Sequence, residues 1–330
     1  MGTLHDVSRL SGLSIATVSK YLNGIKVKPQ NEEKIKKAIA ESNYSVNFFA
    51  KSLKTKRSMT VGVLIPNMAS SFYAAVVSRV EQIFAQKGYN LLVSGYANDA
   101  VQENSKFLSL LSRKVDALLM APEQLSADSV AAARANGTPV LFFDTRKKDI
   151  DSIGAVVTDN YDACKTVTAR LIGNGFSKIV VLLPRTVYST TNERRQGCLD
   201  SAAELGCPEK VKMVNTPGDI SGAYEKTRAL LASDRPEIIF ALSSSTFLGA
   251  LMAVSDMGLN IPRDIAFIGY DNKQISKIYT PNISLVYQPV DDIAQAIYNE
   301  LLSLMAGNPS KQLITIESRI TFTDSIRKCM

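Results

Sequence analysis

With 330 residues, the chain is longer than one hydrophobic core usually spans, and we expect two or three domains. Hydrophobic residues at 45% and charged residues at 21% exclude a disordered chain, and apolar runs of strand length predict no membrane span or membrane partner. Four dispersed cysteines and a single histidine exclude a zinc finger, so we expect neither a metal nor another cofactor. The first residues lack an apolar signal sequence, which predicts a cytoplasmic protein.

The net charge of +7 lies entirely in the first sixth of the chain. Residues 1–58 contain eleven Lys and Arg against four Asp and Glu, whereas residues 59–330 contain 27 of each kind. A basic module on a neutral body is typical of a polyanion-binding protein, because neutralising phosphates releases condensed counterions. A solvated basic tail is the alternative. The apolar periodicity of the segment argues against a tail, because it is typical of a folded unit.

Short helices joined by a sharp turn are predicted at the N-terminus. Thr3 and Asp6 form a capping box before the first helix, and the second helix covers Ile15–Leu22. A third helix begins at about Pro29 and closes a small core. This pattern predicts an all-α helix-turn-helix domain over residues 1–46. An αα-hairpin packed on another domain is the alternative interpretation.

The start of the second helix faces the major groove in a helix-turn-helix domain. Lys20 can then donate to guanine, while Ile15 and Ala16 can contact a thymine methyl group. Thr17 and Ser19 suit phosphate contacts. The local charge excess favours double-stranded DNA as the partner over the helical-hairpin alternative.

From residue 60 onward, short apolar β-branched runs alternate with amphipathic helices. This alternation predicts an α/β body of doubly wound parallel sheets, and so many strands suggest two sheets in two lobes. The predicted strands are 60–65, 89–94, 117–120, 140–143, 155–157, 178–183, 212–214, 238–242, 265–269 and 319–323. The predicted helices include 72–86, 163–172, 223–231 and 246–257.

The N-terminal segment contains the motifs Thr3-Leu4-His5-Asp6-Val7, Gly12-Leu13-Ser14, Thr17-Val18-Ser19-Lys20 and Leu22-Asn23-Gly24. These motifs resemble those of the lactose-repressor (LacI/GalR) family. The resemblance implies a sequence-specific transcription regulator, with Thr3, His5, Ser14 and Asn23 added to the DNA contacts. His5 could equally be an exposed helical histidine. The family's usual recognition arginine is Lys20 here, a weaker bidentate donor.

Residues 47–58 resemble the family's hinge segment, which becomes helical only on the operator. The resemblance implies that Leu53 enters the minor groove as an apolar wedge, with Ala50 beside it, and Lys54 is also expected to contact DNA. Such a wedge costs base unstacking, but the resulting bend brings more protein surface onto the duplex.

The body resembles the family's effector domain on motifs that include Val61-Gly62-Val63-Leu64-Ile65-Pro66, Gly269-Tyr270-Asp271-Asn272 and Gln288-Pro289. The resemblance implies a periplasmic-binding-protein-like, two-lobed fold over residues 59–330 that binds an effector and forms the dimer. It also implies chain crossovers near residues 158, 287 and 318. The first lobe would then hold about 59–158 and 288–317, and the second about 159–287 and 318–330.

Candidate effector residues are those just after strands, where the cleft of such sheets lies. They are Phe72, Tyr73, Asp144, Ser243, Ser244 and Asp271, together with Arg194, which matches the family's ligand arginine. The two aspartates could instead cap loops, and Phe72 could be a core aromatic. Ser243-Ser244 stands where the family usually has Asn-Asp, which removes an acidic partner for the hydroxyls of an ordinary monosaccharide.

The sequence predicts a non-enzyme, because its one histidine lies in the helix-turn-helix segment and no phosphate-binding loop or metal-ligand cluster is found. We expect a repressor that binds a near-palindromic operator as a homodimer, under allosteric control by a small polar, carbohydrate-like effector. The seven residues after the last predicted strand are too few for a tetramer-forming coiled coil. The alternatives are a periplasmic-type solute-binding protein and a regulator controlled by a protein partner.

Overall fold

The computed structural model describes residues 2–22, 24–44, 57–147, 150, 152–184, 189–310 and 313–328. The chain divides into a helical unit, Met1–Ser58, and a larger α/β unit, Met59–Met330. Residues 45–56 lie outside the described residues, and with them most of the predicted hinge segment.

The helical unit contains α1 (Leu4–Ser11), α2 (Ile15–Leu22) and α3 (Pro29–Ser42). The capping box expected before α1 is present: the Thr3 amide donates to Asp6 Oδ2 at 3.0 Å, and the Asp6 amide donates to Thr3 Oγ1 at 3.2 Å. Each side chain therefore satisfies an amide that the first helical turn leaves without a partner.

The core of the helical unit is small and apolar. Val7, Val18, Ile35 and Ala38 are buried, so each of the three helices contributes to it. Leu10, the last leucine of α1, is exposed. On an eight-residue helix the positions four apart, Val7 and Ser11, both face inward, and Leu10 lies off that line.

The α/β unit alternates strands and helices along the chain. The strands are β1 (Thr60–Ile65), β2 (Asn90–Gly95), β3 (Ala117–Met120), β4 (Val140–Phe143), β5 (Ala155–Thr158), β6 (Ile179–Pro184), β7 (Val211–Thr216), β8 (Ile238–Ala241), β9 (Ala266–Tyr270), β10 (Ser284–Tyr287), β11 (Leu313–Ile316) and β12 (Arg319–Thr321). The helices are α4 (Ser71–Ala85), α5 (Ala100–Ser112), α6 (Ala127–Ala135), α7 (Asn160–Gly173), α8 (Ser189–Glu204), α9 (Ile220–Ser233), α10 (Ser244–Asp256), α11 (Lys273–Ile278) and α12 (Val290–Met305). Single 3₁₀ turns occur at Pro208–Lys210 and Asp324–Ile326.

These strands form two six-stranded sheets, and each sheet with its helices is called a lobe below. The first lobe has the order β11-β5-β4-β3-β1-β2, and the second has β12-β10-β9-β8-β6-β7. All described pairings are parallel except that of β10 with β12. The predicted fold class, a helix-turn-helix unit followed by a two-lobed doubly wound domain, is confirmed.

Both faces of each sheet are covered. Val63 and Leu64 are adjacent on β1, yet they belong to separate buried clusters on opposite faces of the first sheet. Val181 and Leu182 on β6 divide in the same way in the second lobe. Because successive strand residues point to opposite faces, a continuous apolar run is what a sheet between two helical layers requires.

The two lobes repeat one strand order, with β4 in the first at the position of β9 in the second. Asp144 follows β4, and its amide donates to Val156 of β5 at 2.9 Å. Asp271 follows β9, and its amide donates to Val286 of β10 at 2.7 Å. The two aspartates therefore occupy equivalent positions, each where a strand ends.

We expect Gly197→Ala to destabilise the protein. A Cβ at Gly197 on α8 would overlap the backbone carbonyl oxygen of Tyr161 on α7, so the two helices would have to separate. The free energy of unfolding should fall by about 1–3 kcal/mol, the usual cost of overpacking, in urea titrations of the full chain.

Gly173→Ala is the matched control, because Gly173 ends α7 and a Cβ there meets open space. Its unfolding free energy should stay equal to that of the wild type or rise slightly. Equal stability of the two variants would contradict the tight α7–α8 contact.

Candidate functional sites

The exposed face of α2 is the candidate DNA-reading surface. Ile15 is 38% exposed, and Ala16 and Lys20 are also exposed, whereas Val18 is buried in the core. The residues predicted to face base edges therefore lie outside the core. Ser19 is half-buried. Two apolar side chains and one ammonium group suit a mixture of thymine-methyl and guanine contacts in a major groove.

Capping engages several of the polar residues predicted to contact DNA. The Ser14 and Thr17 hydroxyl oxygens are 2.9 Å apart, and the Thr17 amide donates to Ser14 Oγ at 3.3 Å. The Thr3 hydroxyl donates to Asp6 Oδ2 at 2.7 Å. His5 is exposed on the first turn of α1. Predicted contacts at Asn23, Ala50, Leu53 and Lys54 lie outside the described residues.

The second site lies in the α/β unit around Arg194, whose side chain is 7% exposed. Its Nε donates to Asn160 Oδ1 at 2.7 Å, and its Nη1 donates to the Leu242 carbonyl oxygen at 2.8 Å. The guanidinium lies over the Tyr270 ring, 3.8 Å from its centroid. A buried cation is stabilised here by hydrogen bonds and a π face, and the guanidinium is held in one orientation.

Asp144 and Asp271 place one carboxylate from each lobe in the field of this guanidinium. Burial alone would lower the pKa of Arg194, but Tyr270 and the two aspartates raise this pKa by more than burial lowers it. The side chain therefore stays charged. Both aspartates have left-handed backbone angles, with φ of 65° at Asp144 and 58° at Asp271. Asp and Asn tolerate this conformation better than other non-glycine residues, and it is enriched at binding sites.

Tyr73 on α4 holds the carboxylate of the first lobe: its hydroxyl donates to Asp144 Oδ2 at 2.6 Å. Burial raises the pKa of Asp144 to about 6, although Tyr73 and Arg194 act in the opposite direction. Burial also raises the pKa of Asp271, against the opposing effects of Arg194 and Gln288. Phe72 packs against the first-lobe core with its ring centroid 5.4 Å from that of Tyr73.

The serine pair after β8 has two different roles. Ser243 caps α10 and exchanges hydrogen bonds with Thr246. Ser244 lies where the lobes meet: its Oγ is 3.0 Å from Ser71 Oγ of the first lobe and accepts from Asn272 Nδ2 at 2.5 Å. The structure thus brings Ser244 to the contact between lobes, while Ser243 serves the helix.

Sequence reasoning missed several polar residues at this site. Asn160 accepts from Arg194, and Gln288 donates from its amide and from Nε2 to the Asp271 carboxylate, each at 3.1 Å. Asn160 follows strand β5, so the same after-strand argument that selected Asp144 could have selected it. Gln288 had only the Gln-Pro motif as a signal.

Among the described residues, no helix is both long and apolar enough to cross a bilayer. The same part of the chain holds no group of three or more His, Cys, Asp or Glu arranged to bind a metal ion.

Comparisons with family models match both units. Residues 3–47 match the model described as bacterial regulatory proteins of the lacI family. Residues 58–319 match the model described as periplasmic binding proteins and the sugar-binding domain of the LacI family.

Individual relatives are similar over nearly the whole chain. The HTH-type transcriptional repressor PurR of Actinobacillus pleuropneumoniae serotype 3 (strain JL03) is 28% identical, covering 92% of this chain and 90% of its own. Catabolite control protein A of Staphylococcus xylosus is 29% identical, covering 88% of each. The solved lac repressor dimer bound to operator and the anti-inducer ONPF superposes with a TM-score of 0.85 at 22% identity, covering 98% of each chain.

We expect Asp144→Asn to remove a pH dependence of stability. The folded-state pKa of about 6 exceeds the ordinary value of 3.8, so the folded protein binds this proton more tightly than the unfolded chain does. The contribution of Asp144 therefore becomes less favourable as pH rises from about 4 through about 6.

Urea unfolding in a series of buffers from pH 4.5 to 7.5, spaced about one pH unit apart, measures this pH dependence. Relative to Asp144→Asn, the wild type should lose about 2 kcal/mol between the first and the last of these buffers. The exposed carboxylate of Asp128 supplies the control, since Asp128→Asn should follow the wild-type profile. Parallel profiles for wild type and Asp144→Asn would refute the raised pKa.

Proposed function

The chain belongs to the LacI family of bacterial regulatory proteins, and we propose that it is a repressor whose affinity for a specific operator is set by a sugar or sugar derivative bound beside Arg194. The single observation that carries the effector part is the buried guanidinium with one aspartate from each lobe around it. A ligand that engages all three groups touches both lobes at once.

The DNA part rests on the helical unit. Its basic charge supplies sequence-independent attraction to phosphates, and the exposed face of α2 supplies base contacts. A helix-turn-helix unit reads one half-site, so a homodimer on a near-palindromic operator is proposed. The segment 47–58, with Ala50, Leu53 and Lys54, is proposed to contact the minor groove between the half-sites.

The effector part rests on groups that suit hydroxyls. Carboxylate oxygens accept from sugar hydroxyls and a fixed guanidinium donates to their oxygens. Phe72 and Tyr73 lie at the start of α4, where Tyr73 donates to Asp144 and Phe72 packs beside Tyr73. The missing acidic residue after β8, where Ser243 and Ser244 stand, is compatible with a sugar derivative that has fewer hydroxyls to bind on that side.

We further propose that the protein acts in the cytoplasm, where bacterial DNA is, and is not an enzyme. The basic helix-turn-helix unit favours this proposal over a periplasmic-type solute-binding protein, because a protein of that type does not bind DNA. If a protein partner controlled the regulator instead, that partner alone would produce the full change in operator affinity, without any small molecule.

We expect Lys20→Ala to weaken specific operator binding by about 1–3 kcal/mol and to relax the base preference at one position of each half-site. The operator is first obtained by selection of the full-length protein on random duplexes, and a near-palindromic consensus is the expected result. Fluorescence anisotropy on operator and on scrambled DNA then compares the variants.

Lys34→Ala is the control, because Lys34 is an exposed lysine of the same unit on α3. It should lose affinity equally on both duplexes, as a phosphate contact or a long-range charge does. If Lys20→Ala also loses affinity equally on both, Lys20 does not read a base.

We expect Arg194→Lys to weaken effector binding although the charge is kept. Lysine cannot donate to Asn160 and Leu242 in the same fixed geometry, so a loss of at least about tenfold in affinity should follow. Thermal shift and calorimetry with D-ribose, D-xylose, D-glucose, D-galactose, cellobiose and their phosphates make the measurement.

Arg195→Lys changes the neighbouring, exposed arginine in the same way and should bind like the wild type. Equal effects of the two substitutions, or no effect of either on a sugar that binds, would show that the effector does not bind at Arg194.

A further inference from the structure

Within the described residues, the chain passes between the two sheets at three places. It leaves the first sheet after β5, returns after β10 and leaves again after β11. Three buried polar residues lie at the first two crossovers: Thr158 and Asn160 flank the first, and Gln288 follows β10 at the second. Buried polar side chains are costly unless each finds a partner, so their partners show what these residues hold together.

The two crossovers are hydrogen-bonded to each other. Thr158 Oγ1 donates to Gln288 Oε1 at 3.0 Å, and Asn160 Nδ2 donates to the Thr158 carbonyl oxygen at 3.3 Å. The third crossover joins the first separately, because the Ser318 amide donates to Asp159 Oδ1 at 2.6 Å. A change in the angle between the lobes has to pass through these segments, since they are the covalent links between the sheets.

The same residues hold the groups assigned to the effector. Asn160 Oδ1 accepts from Arg194 Nε at 2.7 Å, and the Gln288 amide and Nε2 each donate to Asp271 at 3.1 Å. The hydrogen bonds therefore run in sequence from Arg194 through Asn160, Thr158 and Gln288 to Asp271. We call these five residues the crossover chain.

From this arrangement we infer that Thr158, Asn160 and Gln288 are positioning residues that couple the effector site to the lobe angle, and hence to operator binding. The Gln288 side chain accepts a hydrogen bond from Thr158 through Oε1 and donates one to Asp271 through Nε2. If Gln288 moves with one of these partners, its hydrogen bond to the other is therefore strained. An effector that moves Arg194 or Asp271 therefore changes the hydrogen bonds at the crossovers. The inference rests on the proposed function, since it needs an operator that senses the lobe angle.

Thr158→Val is the test, because it removes one hydroxyl in the middle of the crossover chain without altering the residue's shape. Thr168→Val is a matched control: Thr168 is fully buried in α7 of the second lobe, and its hydroxyl has no hydrogen-bond partner among the described residues. Thr158→Ser restores the hydroxyl and serves as the rescue variant.

The readout uses the selected operator duplex as the probe and no sugar. Hydrogen–deuterium exchange of the full-length protein is followed with and without operator, in peptides that cover residues 189–204 and 266–272. Because coupling between sites is reciprocal, operator binding should change exchange at the effector site of the wild type by at least about twofold. Thr158→Val should lose this response, while Thr168→Val and Thr158→Ser should keep it.

A full response in Thr158→Val, or no response in the wild type despite operator binding, would overturn the coupling role. If Thr158→Val does not fold, Gln288→Met breaks the crossover chain at its next member and is judged by the same response. Failure of the proposed function gives a different result, because the wild-type protein would then select no operator from random DNA.

Discussion

The buried guanidinium of Arg194 is the constraint on which the effector domain depends. Removing a cation from water is costly unless hydrogen bonds and opposite charge compensate it. Here Asn160 and the Leu242 carbonyl accept two of its N–H groups, the Tyr270 ring covers one face, and two carboxylates lie nearby. Delivering Arg194 to this place requires α8 to lie directly against α7, which only a residue without a side chain at position 197 permits. The close contact between α7 and α8 at Gly197 therefore determines both the packing of this lobe and the position of Arg194.

The repeated strand order explains why the charges around this cation come from both lobes. Asp144 and Asp271 leave equivalent strands with the same left-handed turn, so two like sheets present two like carboxylates to one arginine. The equivalence ends at their partners. Tyr73 holds Asp144 with a phenol from the same lobe, whereas Gln288 holds Asp271 from a segment that connects the lobes. A ligand that binds the Asp144 carboxylate acts within one lobe. A ligand that binds the Asp271 carboxylate acts on a segment that connects the two lobes.

Local sequence patterns predicted most of the elements because buried parallel strands must be continuous apolar runs, as β1 and β6 are. Strands β10 and β11 were not predicted. Strand β11 lies at the edge of its sheet and its residues alternate between exposed and half-buried, so it has no continuous apolar run, whereas that reason does not apply to the buried β10. Around Arg194, Asp144 and Asp271 could be selected from the sequence because each follows a strand. Asn160 also follows a strand and was open to the same argument, whereas the role of Gln288 depends on a partner 17 residues away. Hydrogen bonds over such separations have no periodic signature.

The division of charge along the chain limits how such a regulator can be switched. The excess of +7 belongs to residues 1–58, and no effector bound in the neutral body alters it, so the attraction to phosphates persists in every state. What a ligand can change is whether two recognition helices fit two half-sites simultaneously. The exposed face of each α2 is small, with Ile15, Ala16 and Lys20 as its exposed residues. One helical unit alone therefore binds a half-site only slightly more tightly than random DNA. Specific binding then depends on geometry that the body imposes, and a ligand shifts it only as far as it discriminates between the two lobe arrangements. A polar connection between the lobes that includes the groups proposed to bind the effector would supply such discrimination, because occupying the site and setting the angle would then involve the same hydrogen bonds.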